Sequence, residues 1–69
     1  MDPMVALLYL LRRKYKDIEI EFEESGAVQV FAELKTVKVI DGISFTHRGF
    51  RDLGGDIEAA LTKLWELAN

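Results

Sequence analysis

The sequence predicts a mixed α+β domain, a two-layer α-β-β-β-α unit in which a three-stranded antiparallel meander carries both helices on one face. Three observations point there. Residues 17–24 alternate strictly, with Ile18, Ile20 and Phe22 set against Glu19, Glu21 and Glu23, which marks a half-buried strand. Apolar residues recur at helical spacing near both ends. Two turn signals, Ser25-Gly26 and Asp41-Gly42, punctuate the segment between them.

Asp2-Pro3 opens the first helix, because aspartate accepts from free backbone N–H groups and proline suits the first helical position. Met4, Leu7, Leu8, Leu11 and Tyr15 form its core stripe. Val5, Tyr9 and Leu10 are apolar as well, so the first turns are greasy nearly all round, as in helices covered on more than one side. Arg12, Arg13, Lys14 and Lys16 follow where cations complement a helix C-terminus.

In the first hairpin, a three-residue loop Glu24-Ser25-Gly26 pairs Phe22 with Val28, Ile20 with Val30 and Ile18 with Ala32, and puts Gly26 in the left-handed position. The buried face continues through Val28, Val30, Ala32 and Leu34. Its phase then slips before Val37 and Val39, so one extra residue near Lys35-Thr36 is expected as a bulge. A second three-residue loop, Ile40-Asp41-Gly42, pairs Val39 with Ile43 and Val37 with Phe45. Ile43 and Phe45 complete the inner face. Glu19, Glu21, Glu23, Gln29, Glu33, Lys38, Ser44 and Thr46 form the outer one, with Phe31 among them. Residues 47–55 read as a connection that leaves His47 on the inner side. Asp56 caps the second helix, whose stripe is Ile57, Ala60, Leu61, Leu64 and Ala68.

The 69 residues fit a single domain, 1–69. A chain this short buries only about 60% of its unfolded surface, and such domains gain stability from disulfides, a metal or self-association. With no cysteine and one histidine, disulfides and thiolate zinc are closed, and no metal or cofactor is expected. The longest apolar run, Met4 to Leu11, is eight residues, against about 20 for a membrane span. Its basic residues follow the run instead of preceding it, unlike a signal peptide. The expectation is a cytoplasmic chain with no membrane contact.

A net charge of −3 disfavours generic nucleic-acid binding. No acid–base pair or nucleophile stands out, so the reading is a non-enzymatic interaction module, binding itself as a homo-oligomer or another protein. Val5, Tyr9, Leu10 and Phe31 are its candidate interface. Arg12, Arg13, Lys16, Arg48 and Arg51, with Tyr15 and Phe50 interleaved, are the alternative, a local nucleic-acid patch. Glu19, Glu21 and Glu23, about 7 Å apart per step, offer a third reading, an acidic inhibitor imitating nucleic acid. As a solvated strand exterior, the same row guards an edge against pairing.

The helix, three-strand meander, helix order over the whole chain resembles the double-stranded-RNA-binding domain, and Glu58-Ala59-Ala60-Leu61 is similar to that family's alanine-rich second helix. The resemblance implies the αβββα fold. It does not extend to RNA contacts. Ser25-Gly26-Ala27-Val28 stands where the family has Gly-Pro-x-His. Gly54-Gly55-Asp56-Ile57-Glu58 stands where it has a lysine cluster. The segment from Gly55 to Leu64 is also similar to helices of many short phage and prophage proteins.

Overall fold

The computed structural model describes residues 2–68, with the side chains of Val37 and Lys38 outside the described residues; their placement on the inner and outer face falls there. Helix α1 is Pro3–Lys14, strand β1 Tyr15–Phe22, β2 Val28–Ile40, β3 Ile43–Asp52 and helix α2 Ile57–Leu67. The result is a mixed α+β arrangement with two helices on an open antiparallel sheet, ordered β1-β2-β3.

Both helices begin as expected. The Asp2 carboxylate accepts from the Met4 N–H at 2.7 Å, and the Asp56 carboxylate accepts from Ala59 N–H at 3.0 Å. The lead-in to α2 lies against the first hairpin. Gly55 has φ +72°, and a Cβ there would run into the Gly26 carbonyl oxygen, so this approach needs glycine. Tyr15, expected on the helix stripe, is instead the first residue of β1. It stays buried, and its hydroxyl donates to the Leu64 carbonyl at 2.7 Å.

The first hairpin has the expected register at its loop end, with Phe22 opposite Val28, Ile20 opposite Val30 and Gly26 at φ +94°. Farther on, the Ile18–Ala32 pairing gives way to a bulge. Residues 17–18 lie opposite Ala32 alone, between the pairs Lys16–Glu33 and Glu19–Phe31. Asp17 takes φ +54° there, a conformation aspartate tolerates better than most residues.

The second hairpin departs further. Its turn has two residues, with Ile40 opposite Ile43 and Val39 opposite Ser44. Asp41 at φ +52° and Gly42 at φ +80° supply the two left-handed positions such a turn requires. The bulge in β2 is larger than one residue, since residues 34–37 lie opposite Thr46 alone. It divides the middle strand, so the sheet has four strand segments where the sequence predicted three strands with a one-residue bulge in the middle one.

Strand β3 then runs on through residues 47–52, the stretch expected as a connection. Along it Thr46, Arg48, Phe50 and Asp52 are half-buried, while Phe45, His47, Gly49 and Arg51 are exposed. Ile43, Phe45 and His47 therefore lie away from the helix layer, opposite to the sequence assignment. The inner face of β1 is also less covered than expected, with Ile20 exposed and Phe22 68% exposed.

The core is narrower as a result. Val28, Val30, Ala32 and Leu34 present one face of β2 to Leu11, Tyr15, Ala60, Leu61, Leu64 and Ala68, with Met4, Leu7, Leu8, Ile18, Phe50 and Ile57 packed around them. Burial raises the Tyr15 phenol above its usual value of 10.0, and the nearby Arg48 guanidinium draws it part of the way back. Tyr15→Phe leaves the buried Leu64 carbonyl without its donor and should cost about 1–2 kcal/mol, measured by urea unfolding. The raised phenol favours the fold below pH 10, and that contribution is lost as pH climbs through its folded value. Stability should therefore fall less steeply above pH 10 in Tyr15→Phe than in the parent.

Candidate interaction surface

Successive α1 residues are rotated by about 100°, so Asp2, Val5, Ala6, Tyr9, Arg12 and Arg13 share the side opposite the core stripe. Val5 is 43%, Tyr9 54% and Leu10 40% exposed. Helix α2 packs against α1 without covering them. A shallow groove of about 260 Å³ runs between Val5, Leu8, Tyr9 and Arg12, and the Arg12 guanidinium lies 5.8 Å from the Tyr9 ring centre. This orders the tyrosine within a solvent-facing apolar strip.

Phe31 does not join this strip. It sits on the sheet face away from the helices, opposite Gly49, whose missing side chain leaves room for its ring; a Cβ there would lie 3.3 Å from the ring edge. The ring thereby shields strand backbone that a glycine would otherwise leave bare. A second apolar surface, absent from the sequence-based candidates, lies at the end of the β2–β3 hairpin, where Val39, Ile40, Ile43 and Phe45 are all exposed. Its sequence signal was the apolar pair Val39-Ile40 followed by a two-residue Asp-Gly turn, which puts apolar side chains on both faces.

The proposed basic patch separates into three places. Arg12 and Lys16 line one groove of about 290 Å³ together with Lys35, which the sequence reading omitted, and with the Asp17 carboxylate, and Arg13 is exposed on the same end of α1. Arg48 folds onto the helix layer, its Nε donating to the Leu67 carbonyl at 3.2 Å and its Nη1 to the His47 carbonyl at 2.9 Å. It thus supplies the cation that the last turn of α2 lacks. Arg51 makes a two-pronged contact with Glu23, both bonds 2.7 Å, and this hydrogen bonding holds the Glu23 carboxyl below its usual value.

Glu19 and Glu21 are exposed on the outer face, while Glu23 is engaged by Arg51 and partly covered. Glu33 meets Lys16 at 3.8 Å. A small hollow of about 150 Å³ gathers Asp17, Glu19, Phe31, Glu33 and His47. Among the described residues, no group of three or more His, Asp or Glu side chains is placed to hold a metal. His47 Nδ1 lies 2.9 Å from Thr46 Oγ1, and Ser44, two positions before Thr46, points to the other face of the strand from His47. A broader hollow of about 600 Å³, open to solvent, lies between Phe50 and Asp52 of β3, the capping Asp56, and Glu58, Lys63 and Glu66 of α2.

The register gathers charge into two poles. Phe22, Val28 and Asp52 lie in one row, which brings Glu21, Glu23, Glu24, Asp52, Asp56 and Glu58 to one end. Tyr15 and Leu34 share a row at the other, with Arg12, Arg13, Lys14, Lys16 and Lys35 around it. Lys14 Nζ lies 5.8 Å from the Trp65 ring centre, near the end of α2.

No protein-family model, curated protein or solved structure matches the chain. The element order is consistent with the αβββα topology implied by the family resemblance. No helix among the described residues is long and apolar enough to cross a membrane.

Arg48→Met keeps the aliphatic stem but removes the donor to the α2 C-terminus. It should lower stability by about 1 kcal/mol, a fall of about 4–8 °C in melting temperature for a domain of this size. The loss should shrink at high salt.

Proposed function

We propose that this chain is a small non-enzymatic interaction module that binds protein, a second copy of itself or a different chain, through the solvent side of α1. One observation carries the reading. Val5, Tyr9 and Leu10 stay exposed on a helix whose opposite side already supplies the core. Exposed apolar surface beyond what one core stripe needs marks interfaces in soluble proteins. The rest of the surface fits the same reading. Among the described residues, eleven large apolar residues are exposed, as many as the buried residues that form the core, so the isolated chain leaves much of its apolar surface wet.

A second reading is favoured by the groove between Arg12, Lys16 and Lys35: a polyanion contact confined to the basic pole. It predicts retention on single-stranded nucleic acid at low salt that disappears in Lys16→Glu/Lys35→Glu and is indifferent to Arg51→Ala. The acidic-inhibitor reading loses ground, because Glu23 is already engaged by Arg51.

To test the leading reading, Val5, Tyr9 and Leu10 are replaced together by Ser, Ser and Gln. The variant should keep the parent circular-dichroism spectrum and melting temperature. The parent should self-associate in light scattering, or retain a specific protein when isolated from its native cell, and the triple variant should do neither. A parent that is monomeric at high micromolar concentration and retains no protein through these residues overturns the reading.

A further inference from the structure

The exposed side of α1 carries its own complement. Reading along it, Asp2 comes first, then Val5, Ala6 and Tyr9, then Arg12 and Arg13. The stripe is acidic at one end, apolar in the middle and basic at the other. A parallel copy of the helix would set Arg12 and Arg13 against themselves. An antiparallel copy sets Asp2 near the opposing arginines at both ends and the two Tyr9 side chains against each other between. Resting on the interaction-module reading, we infer that the occupant of this surface is a second copy of the chain, with the two α1 helices antiparallel across a twofold axis near Tyr9.

Shape points the same way. The groove beside Tyr9, lined by Val5, Leu8, Tyr9 and Arg12, is centred between residues 8 and 9. A twofold there inserts each Tyr9 ring into the groove of the other copy, a knob meeting a hole in both directions. It also brings Val5 opposite the second copy's Arg12, because both lie on the same flank of the stripe and a twofold preserves that flank. Asp2 then falls within reach of the second copy's Arg12 and Arg13 side chains.

The sheet edges offer a second copy less. Antiparallel self-pairing of β1 that keeps its apolar face in phase brings Glu19 against Glu19 or Glu21 of the other copy, and like charges directly opposite are destabilising. On β3, the Arg48 Nη1 already covers the His47 carbonyl. A single 12-residue helix is about 18 Å long, short for a standard interface. The dimer is therefore weak and concentration-dependent.

The chain has no cysteine, so disulfide trapping reads the geometry cleanly. Under mild oxidation the Val5→Cys/Arg12→Cys double variant should become a covalent dimer. Neither single variant should, because like positions in the antiparallel pair lie about 11 Å apart along the seam at 1.5 Å per residue, beyond disulfide reach. Sedimentation equilibrium of the parent at high micromolar concentration should show a dimer, and Tyr9→Arg should be monomeric there and keep the parent's melting temperature at low micromolar concentration, where the parent dimer is dissociated. Three results overturn the inference: a monomeric parent, covalent dimers of Val5→Cys alone, or a dimer that survives Tyr9→Arg. A monomeric parent that still captures a native protein through Val5, Tyr9 and Leu10 removes self-pairing and leaves the interaction-module reading standing. A monomeric parent that captures none removes both.

Discussion

The structure depends on one junction, where the Tyr15 hydroxyl reaches the Leu64 carbonyl. Tyr15 is the residue at which α1 stops and β1 begins, and Leu64 belongs to the last turns of α2. The bond therefore ties both helix C-termini and the start of the sheet to one buried point. Leu11, Leu34, Leu61 and Ala68 belong to the same buried cluster as Tyr15 and Leu64. In a core this small, the tyrosine contributes both apolar area and a directional bond, which aliphatic packing lacks. It also brings the negative ends of two helix dipoles together. That clustering is tolerable because Arg12, Arg13 and Lys14 end α1 and Arg48 reaches the end of α2. Much of the basic content is thus accounted for as charge compensation at a shared helix terminus.

What was legible in the sequence follows from how local each signal was. The alternation of Val28, Val30, Ala32 and Leu34, the first hairpin loop and both helix caps depend on neighbours within a few residues, and the structure repeats them. The second half of strand β3 was missed because its inner face carries Arg48 and Asp52, leaving Phe50 as the one apolar marker of period two. Arg48 can lie inward because Leu67, 19 positions away, offers a carbonyl, and no local pattern announces that partner. Arg51 was likewise assigned to a basic patch, while its carboxylate partner Glu23 sits 28 positions back.

The second hairpin failed for a different reason. Its loop length was chosen so that all apolar side chains would share one face, a rule that holds only where that face is buried. Beyond the β2 bulge the rule has nothing to enforce it. Val39, Ile40, Ile43 and Phe45 are exposed, and Asp41-Gly42 is free to form the tight turn its residues favour. At the candidate site the surplus apolar side of α1 was legible, since one helix needs one core stripe and this one has two. Phe31 was grouped with it only because both break a polar pattern; in space, Phe31 lies on the far side of the sheet over Gly49.

The charge poles bear on how any partner approaches. Six carboxylates gather near the first hairpin and the start of α2, with Arg51 among them on Glu23, whereas Arg12, Arg13, Lys14, Lys16, Lys35 and Arg48 lie where both helices end. A polyanion approaching the basic pole meets the two helix C-termini as well as the lysines, and those dipoles oppose it. A polypeptide lying along α1 meets no such penalty, because the strip between Asp2 and Arg12 is apolar and its ends bear opposite charge. The same residues that quiet the helix dipole at one end of α1 thereby give its solvent side a direction. A surface that is apolar, directional and complementary to its own reverse is what the proposed pairing with a reversed copy would use.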